Sequence, residues 1–251
     1  MIRLIIAALL MVTPSGTKAQ EPVSTYMNQA PHTNMEQLQT VYMLSGLGAD
    51  YRAFQNLDLQ QYKVVHVNWI PPQKSESMAH YASRIKSQIT TPNPAIIGLS
   101  FGGMVAVELA KQMPVQKLVL ISSAKTKKDL AGGNFLFLKL KLYKIIPGYF
   151  LKRPNFIVHN LFGTSSKKDK KILAEILRDS DPHFFRWAMG NIASWDNETI
   201  PPHLIHIHGT ADKIMPYGAA DADYRIKDGG HLMVLNRADT INKIILDYLK
   251  K

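Results

Sequence analysis

The chain has 251 residues, 46% of them hydrophobic and 20% charged, with a formal net charge of +11. That length fits one large domain, or one domain carrying a sizeable insertion, and the composition excludes a largely disordered chain. Cysteine is absent, which excludes disulfides, a thiolate nucleophile and Cys-ligated zinc.

The first nineteen residues read unlike the rest. Met1 to Arg3 is a small basic start, Leu4 to Val12 an unbroken apolar run, and Thr17-Lys18-Ala19 resembles a small-residue cleavage site. This is the layout of a secretory signal peptide, and it predicts export to a periplasm or to the exterior. A buried N-terminal helix in a cytoplasmic protein is the alternative. Gln20 to Gln37 is polar, carries Pro22 and Pro31, and reads as a linker or a loosely docked arm.

From Thr40 onward, short apolar runs end in turn residues and alternate with helical periods. The runs are Val41 to Leu44, Val64 to Val67, Ala95 to Leu99, Leu118 to Ile121, Leu204 to Ile207 and, more weakly, Ala222 to Ile226. Most are apolar throughout, as strands buried on both faces of a parallel sheet should be. Helices are predicted over Glu76 to Ile89, Phe101 to Gln112 and Ala238 to Leu249. The alternation implies an α/β, doubly wound, mostly parallel sheet.

The stretch between Ile121 and Leu204 is too long for a loop. Its pattern is helical over Phe135 to Ile146, Lys168 to Leu177 and Phe184 to Ile192, with breaks at Pro147-Gly148, Pro154 and Asp181-Pro182. We read 125–199 as a helical cap inserted into a core formed by 38–124 and 200–251. Fourteen Lys and Arg face five acids between Lys125 and Trp195, so most of the excess charge lies in this segment. A solvated basic face explains it, with weak contact to an anionic membrane or an acidic substrate as the sharper reading. Nucleic acid is not an expected partner.

The strongest local signal joins a strand, Gly98-Leu99-Ser100-Phe101-Gly102, and a helix. A serine on a sharp strand-to-helix turn is exposed at the top of a sheet, and the glycines either side of it avoid collisions with neighbouring backbone. The helix that follows points its N-terminal N–H groups at developing negative charge.

On this motif and its flanks the sequence resembles the α/β-hydrolase fold family, in the manner of a serine esterase or lipase with a helical cap. The resemblance runs from about Thr40 to the C-terminus, the cap excepted. The family's chain order is nucleophile, acid, histidine, and it implies Ser100 as nucleophile. The loop His208-Gly209-Thr210-Ala211-Asp212 resembles the acid loop and implies Asp212 as the orienting acid. Asp228-Gly229-Gly230-His231 stands where the family places its general base and implies His231. The oxyanion donors implied are the backbone N–H groups of Phe101 and of Leu47, in Leu44-Ser45-Gly46-Leu47-Gly48. Ser45 occupies the position where the family usually has histidine.

His206 and His208 share a strand face, as a metal pair would, but no carboxylate stands at ligand spacing, so no metal is expected. Trp69, Trp187, Trp195, Phe184 and Phe185 are expected to pack between cap and sheet, with lining of an acyl pocket as the alternative. No nucleotide cofactor is expected, for want of a Walker A sequence or a Gly-x-Gly-x-x-Gly after the first strand. The expected function is cleavage of a small-molecule acyl ester through an acyl-enzyme. Thioesterase, carbon–carbon bond hydrolase and lyase chemistry stay open, since one fold and triad serve several reactions. Two rivals are a ligand-binding protein without turnover and a membrane- or nucleic-acid-binding protein acting through Lys167, Lys168, Lys170 and Lys171.

Overall fold

The structure is a computed structural model and describes residues 39–130 and 154–251. The expected signal peptide, the polar arm and the helix expected over Phe135 to Ile146 lie outside the described residues.

Six parallel strands form one sheet in the order β2-β1-β3-β4-β5-β6. They are β1 (Thr40–Leu44), β2 (Lys63–His66), β3 (Ala95–Leu99), β4 (Lys117–Ile121), β5 (Leu204–Gly209) and β6 (Tyr224–Ile226). All six predicted runs are strands. The last is shorter than expected, because Asp223 uses its carboxylate to accept the His206 N–H instead of entering the ladder.

Both sheet faces are covered, so neighbouring residues of one strand enter different cores. Tyr42 and Leu44 join one apolar cluster with Ile96, Leu118 and Leu120, while Val41 and Met43 join another with Ile97, Val119 and Ile207. Each fully buried aliphatic side chain of this kind contributes about 1.5–3 kcal/mol. Helices α1 (Met78–Ile85) and α2 (Phe101–Ala110) cover the first face. Helix α2 is buried almost all round, which its sequence, apolar but for Glu108, requires.

The helix expected over Glu76 to Ile89 is interrupted at both ends. Ser77 caps α1 by accepting the His80 N–H, and Glu76, just outside, turns a buried carboxylate to Arg84, His80 and the Gln73 N–H. A tighter 3-10 turn over Lys86–Gln88 ends it.

Between β4 and β5 the described chain forms α3 (Phe156–Phe162), α4 (Lys167–Asp179) and α5 (Pro182–Ser194). The last two match expectation. Helix α3 was not foreseen, although its Asn155 cap and left-handed Gly163 stop are ordinary helix signals. Ile172, Leu173 and Ile176 of α4 enter the second core, whereas Phe184 and Ala188 of α5 enter the first. The segment therefore passes from one face of the sheet to the other at the α4–α5 junction. There Ser180 Oγ donates to the Gly48 carbonyl, 2.8 Å away. Trp187 and Asn191 tie α5 to the body by donating to the Glu76 carbonyl.

The chain closes with α6 (Met233–Asn236) and α7 (Ala238–Leu249) on the second face. Among the described residues no helix is long and apolar enough to cross a membrane.

Candidate active site

A parallel sheet sends the ends of all its strands to one edge, and at that edge the predicted residues meet. Leu47 follows β1, Ser100 follows β3, Asp212 follows β5 and His231 follows β6. Ser100 adopts φ 52° and ψ −122°, a region costly for any residue with a Cβ, at about 1–3 kcal/mol. The turn is held by the Ser100 N–H on the Ile121 carbonyl, 2.9 Å away, and by Ser123 Oγ on the Ser100 carbonyl, 2.7 Å away.

The flanking glycines are there for space. A Cβ on Gly98 would lie 2.5 Å from Gly103 Cα, and one on Gly102 would lie 2.2 Å from the Ser45 carbonyl oxygen. In both cases the obstacle is backbone, which cannot swing aside.

Ser100, His231 and Asp212 form one hydrogen-bonded line. His231 Nε2 lies 2.8 Å from Ser100 Oγ, and His231 Nδ1 lies 2.8 Å from Asp212 Oδ2. An ionised carboxylate only accepts, so Nδ1 carries the proton and bare Nε2 accepts the serine O–H. Asp212 Oδ1 takes the N–H groups of Ile214 and Met215, each at 2.9 Å. Burial pushes the Asp212 carboxyl up, but the charge and hydrogen bond of His231 outweigh it, and the group sits below its ordinary value. It is therefore ionised near neutral pH.

The N–H groups of Leu47 and Phe101 donate to no backbone or side-chain oxygen among the described residues. Gly46 lies against the serine, since a Cβ there would come 3.6 Å from Ser100 Cβ. Two unused N–H donors beside a serine can receive an oxyanion. Ser45, the departure from the family pattern, supports this loop by donating from Oγ to the Ala49 carbonyl at 2.5 Å. The Trp69 indole N–H donates to the Gly46 carbonyl at 3.3 Å.

Trp69, Phe184, Trp187 and Trp195 pack between the inserted helices and the body. Phe184 lies 5.4 Å from both Trp69 and Trp187, and Trp187 4.4 Å from Tyr81, ring centre to ring centre. Trp195 joins the same core and donates to Glu108 of α2 at 2.8 Å. His206 and His208 do share a face, buried and 3.0 Å apart through Nε2 and Nδ1. No group of three or more potential metal ligands occurs among the described residues.

Sequence reasoning missed the contacts that hold the histidine loop. The Phe162 ring meets His231 edge-on at 5.8 Å, the Phe162 carbonyl accepts the Leu232 N–H at 2.9 Å, and Asn236 donates to the Gly163 carbonyl at 3.0 Å. Each joins α3 to residues about seventy positions later, and no local pattern carries such a signal.

The model of the alpha/beta hydrolase family matches residues 41–244, and the chain belongs to that family of hydrolases. No curated protein matches the sequence. Among solved structures, the chain is similar to an esterase from Exiguobacterium antarcticum, with 19% identity, a TM-score of 0.66, and coverage of 85% of this chain and 92% of the other. The enol-lactonase from Burkholderia xenovorans LB400 is similar at 15% identity and a TM-score of 0.64, again over 85% of this chain and 92% of the other. The 2-hydroxy-6-oxo-6-phenylhexa-2,4-dienoate hydrolase from Rhodococcus sp. strain RHA1 is similar at 16% identity and a TM-score of 0.65, over 86% and 92%. At these identities the likeness is one of fold.

Proposed function

We propose that the protein is a serine hydrolase that cleaves a carboxylic ester through an acyl-enzyme. The observation that carries this reading is the line from Ser100 Oγ through His231 to buried Asp212, set on a strained turn beside two unused N–H donors.

Ser100 Oγ attacks the ester carbonyl while its proton passes to His231 Nε2. The tetrahedral oxyanion is received by the N–H groups of Leu47 and Phe101, and Asp212 stabilises the imidazolium. Collapse breaks the bond to the leaving alcohol, which takes the proton from His231. Water then enters, gives a proton to the same nitrogen and attacks the acyl carbon. The second collapse releases the acid and returns the proton to Ser100. No metal or cofactor is needed in this sequence of steps.

An ester is preferred to an acyl-coenzyme A thioester because the first nineteen residues support export, where such thioesters are scarce. In this reading the segment between β4 and β5 serves as a cap over the strand ends, and its exposed lysines give weak contact with anionic surfaces. The test is hydrolysis of p-nitrophenyl esters of rising acyl length. Turnover by the native protein and background rates for Ser100→Ala are expected. Failure on every ester would overturn the ester assignment, and equal rates in the variant would overturn Ser100 as nucleophile.

A further inference from the structure

The proposed steps use one histidine, yet two more are buried beneath the acid. His206 and His208 alternate on β5 with Ile205 and Ile207, which enter the second core, so the imidazoles face the other way. Both side chains are fully buried.

Their hydrogen bonds assign their protons. His208 Nε2 lies 2.7 Å from the Met215 carbonyl, which only accepts, so Nε2 carries hydrogen. Nδ1 of a neutral His208 is then bare, and it accepts from His206 Nε2–H at 3.0 Å. Burial lowers the pKa of both rings and keeps them neutral. The ionisable groups around the pair are Lys125 and Asp129 from the segment after β4, together with Asp212 and His231. Because the facing nitrogens are occupied by each other, the pair does not offer a metal two ligands.

Met215 is the link to the site. Its carbonyl takes the His208 proton, while its N–H, with that of Ile214, holds Asp212 Oδ1. The other carboxylate oxygen, Oδ2, points at His231 and lies 3.5 Å from His208 Nε2. A carboxylate gripped on one oxygen by the acid loop can aim the other only as well as that loop is held.

We propose that His208, with its tautomer set by the Met215 carbonyl, is a positioning residue that anchors Met215 and so keeps Asp212 aimed at His231. This rests on the triad reading above. Without the anchor, the Met215 carbonyl and the His206 N–H are left buried and unpaired, and the acid loop relaxes to satisfy them.

The test uses the full chain with His208→Leu, His208→Asn and His208→Gln. The glutamine amide can reach the Met215 carbonyl and also accept from His206; the shorter asparagine amide cannot reach Met215, and leucine can do neither. Rates are taken per active site titrated with a fluorophosphonate probe, on a p-nitrophenyl ester. His208→Leu is expected to lower kcat about 10–100-fold with KM within about twofold. It should also move the acid limb of kcat/KM to lower pH, because a loosened carboxylate stabilises the imidazolium less. His208→Asn should behave likewise if His208→Leu does not fold, and His208→Gln should recover most of kcat. Native kcat per titrated site in Leu or Asn, or equal loss in Gln and Asn, would overturn the proposal.

The His231 Nδ1–H proton resonance reads the same contact without turnover. It should be retained in His208→Gln and shifted in His208→Asn, and an unmoved resonance in both would overturn the proposal. Absence of probe labelling in the native protein would instead count against the triad itself.

Discussion

The two edges of the sheet differ in what they offer a ligand. At the carboxyl edge, four loops bring together a strained serine, a histidine, a buried ionised carboxylate and two unused N–H groups. At the amino edge, residues that precede or open the strands, among them Gln39, Pro92, Pro114, Lys117, Pro202 and His203, line an open cleft of about 1010 Å³. Strain alone does not separate the edges, since Asn93 and His203 at the amino edge also have positive φ. The difference is connection. Ser100 is joined to buried ionisable partners, whereas Lys117, His203 and Lys250 at the amino edge are at least partly exposed. In a parallel sheet, chemistry follows the carboxyl ends of the strands, and an open cleft at their other ends does not by itself mark a site.

The largest expected effect separates the edges by activity. Ser100→Ala should reduce ester hydrolysis at least about a thousandfold, whereas Gln116→Ala in the amino-edge cleft should leave kcat within about twofold. A loss of comparable size from Gln116→Ala would break the comparison.

The second effect concerns the buried polar groups under the carboxyl edge. Burial, with the neighbouring His208 and Lys125, lowers the His206 pKa to about 3 in the folded chain, against an ordinary value of 6.5. Below pH 6.5 the unfolded chain takes up a proton that the folded one refuses. Stability should thus fall between pH 6.5 and 3, by on the order of 4 kcal/mol from this residue. The depressed carboxyl of Asp212 acts in the same direction, since its contribution is also lost as pH falls through its folded value. Chemical denaturation across that range should show a shallower fall in His206→Gln than in the native chain.

The third effect is steric. Gly102→Ala should cost about 3 kcal/mol or more, because its Cβ would meet the Ser45 and Leu44 carbonyls. A native denaturation midpoint would contradict the close approach. The smallest is strain itself: Ser100→Gly should be about 1 kcal/mol more stable than Ser100→Ala, since glycine tolerates φ 52°. Equal stabilities would show that the turn is not strained.

What could be read from sequence was local. Gly98 to Gly102, with a strand before and a helix after, needs only neighbouring residues to declare itself, and the Asp212 and His231 loops stand in the family's order. The two-sided burial of β1 was legible as an apolar run, but not the division of Tyr42 and Val41 between different cores, because a fully apolar run has no period. The supports of the site were hidden for another reason. Ser180 on Gly48 joins residues 132 apart, and Asn236 on Gly163 joins residues 73 apart, through bonds to carbonyls that any sequence supplies. His208 stood out in the sequence, but its partner is the Met215 backbone, so its place in the acid loop could not be read there.

The central claim is that Ser100 is a nucleophile activated by His231. Incubation with a fluorophosphonate probe, followed by peptide mass mapping, tests it most directly. One adduct on the Ser100 peptide is predicted, forming at least about a hundredfold more slowly in His231→Ala. No adduct, an adduct on another residue, or labelling undiminished in His231→Ala would contradict the account.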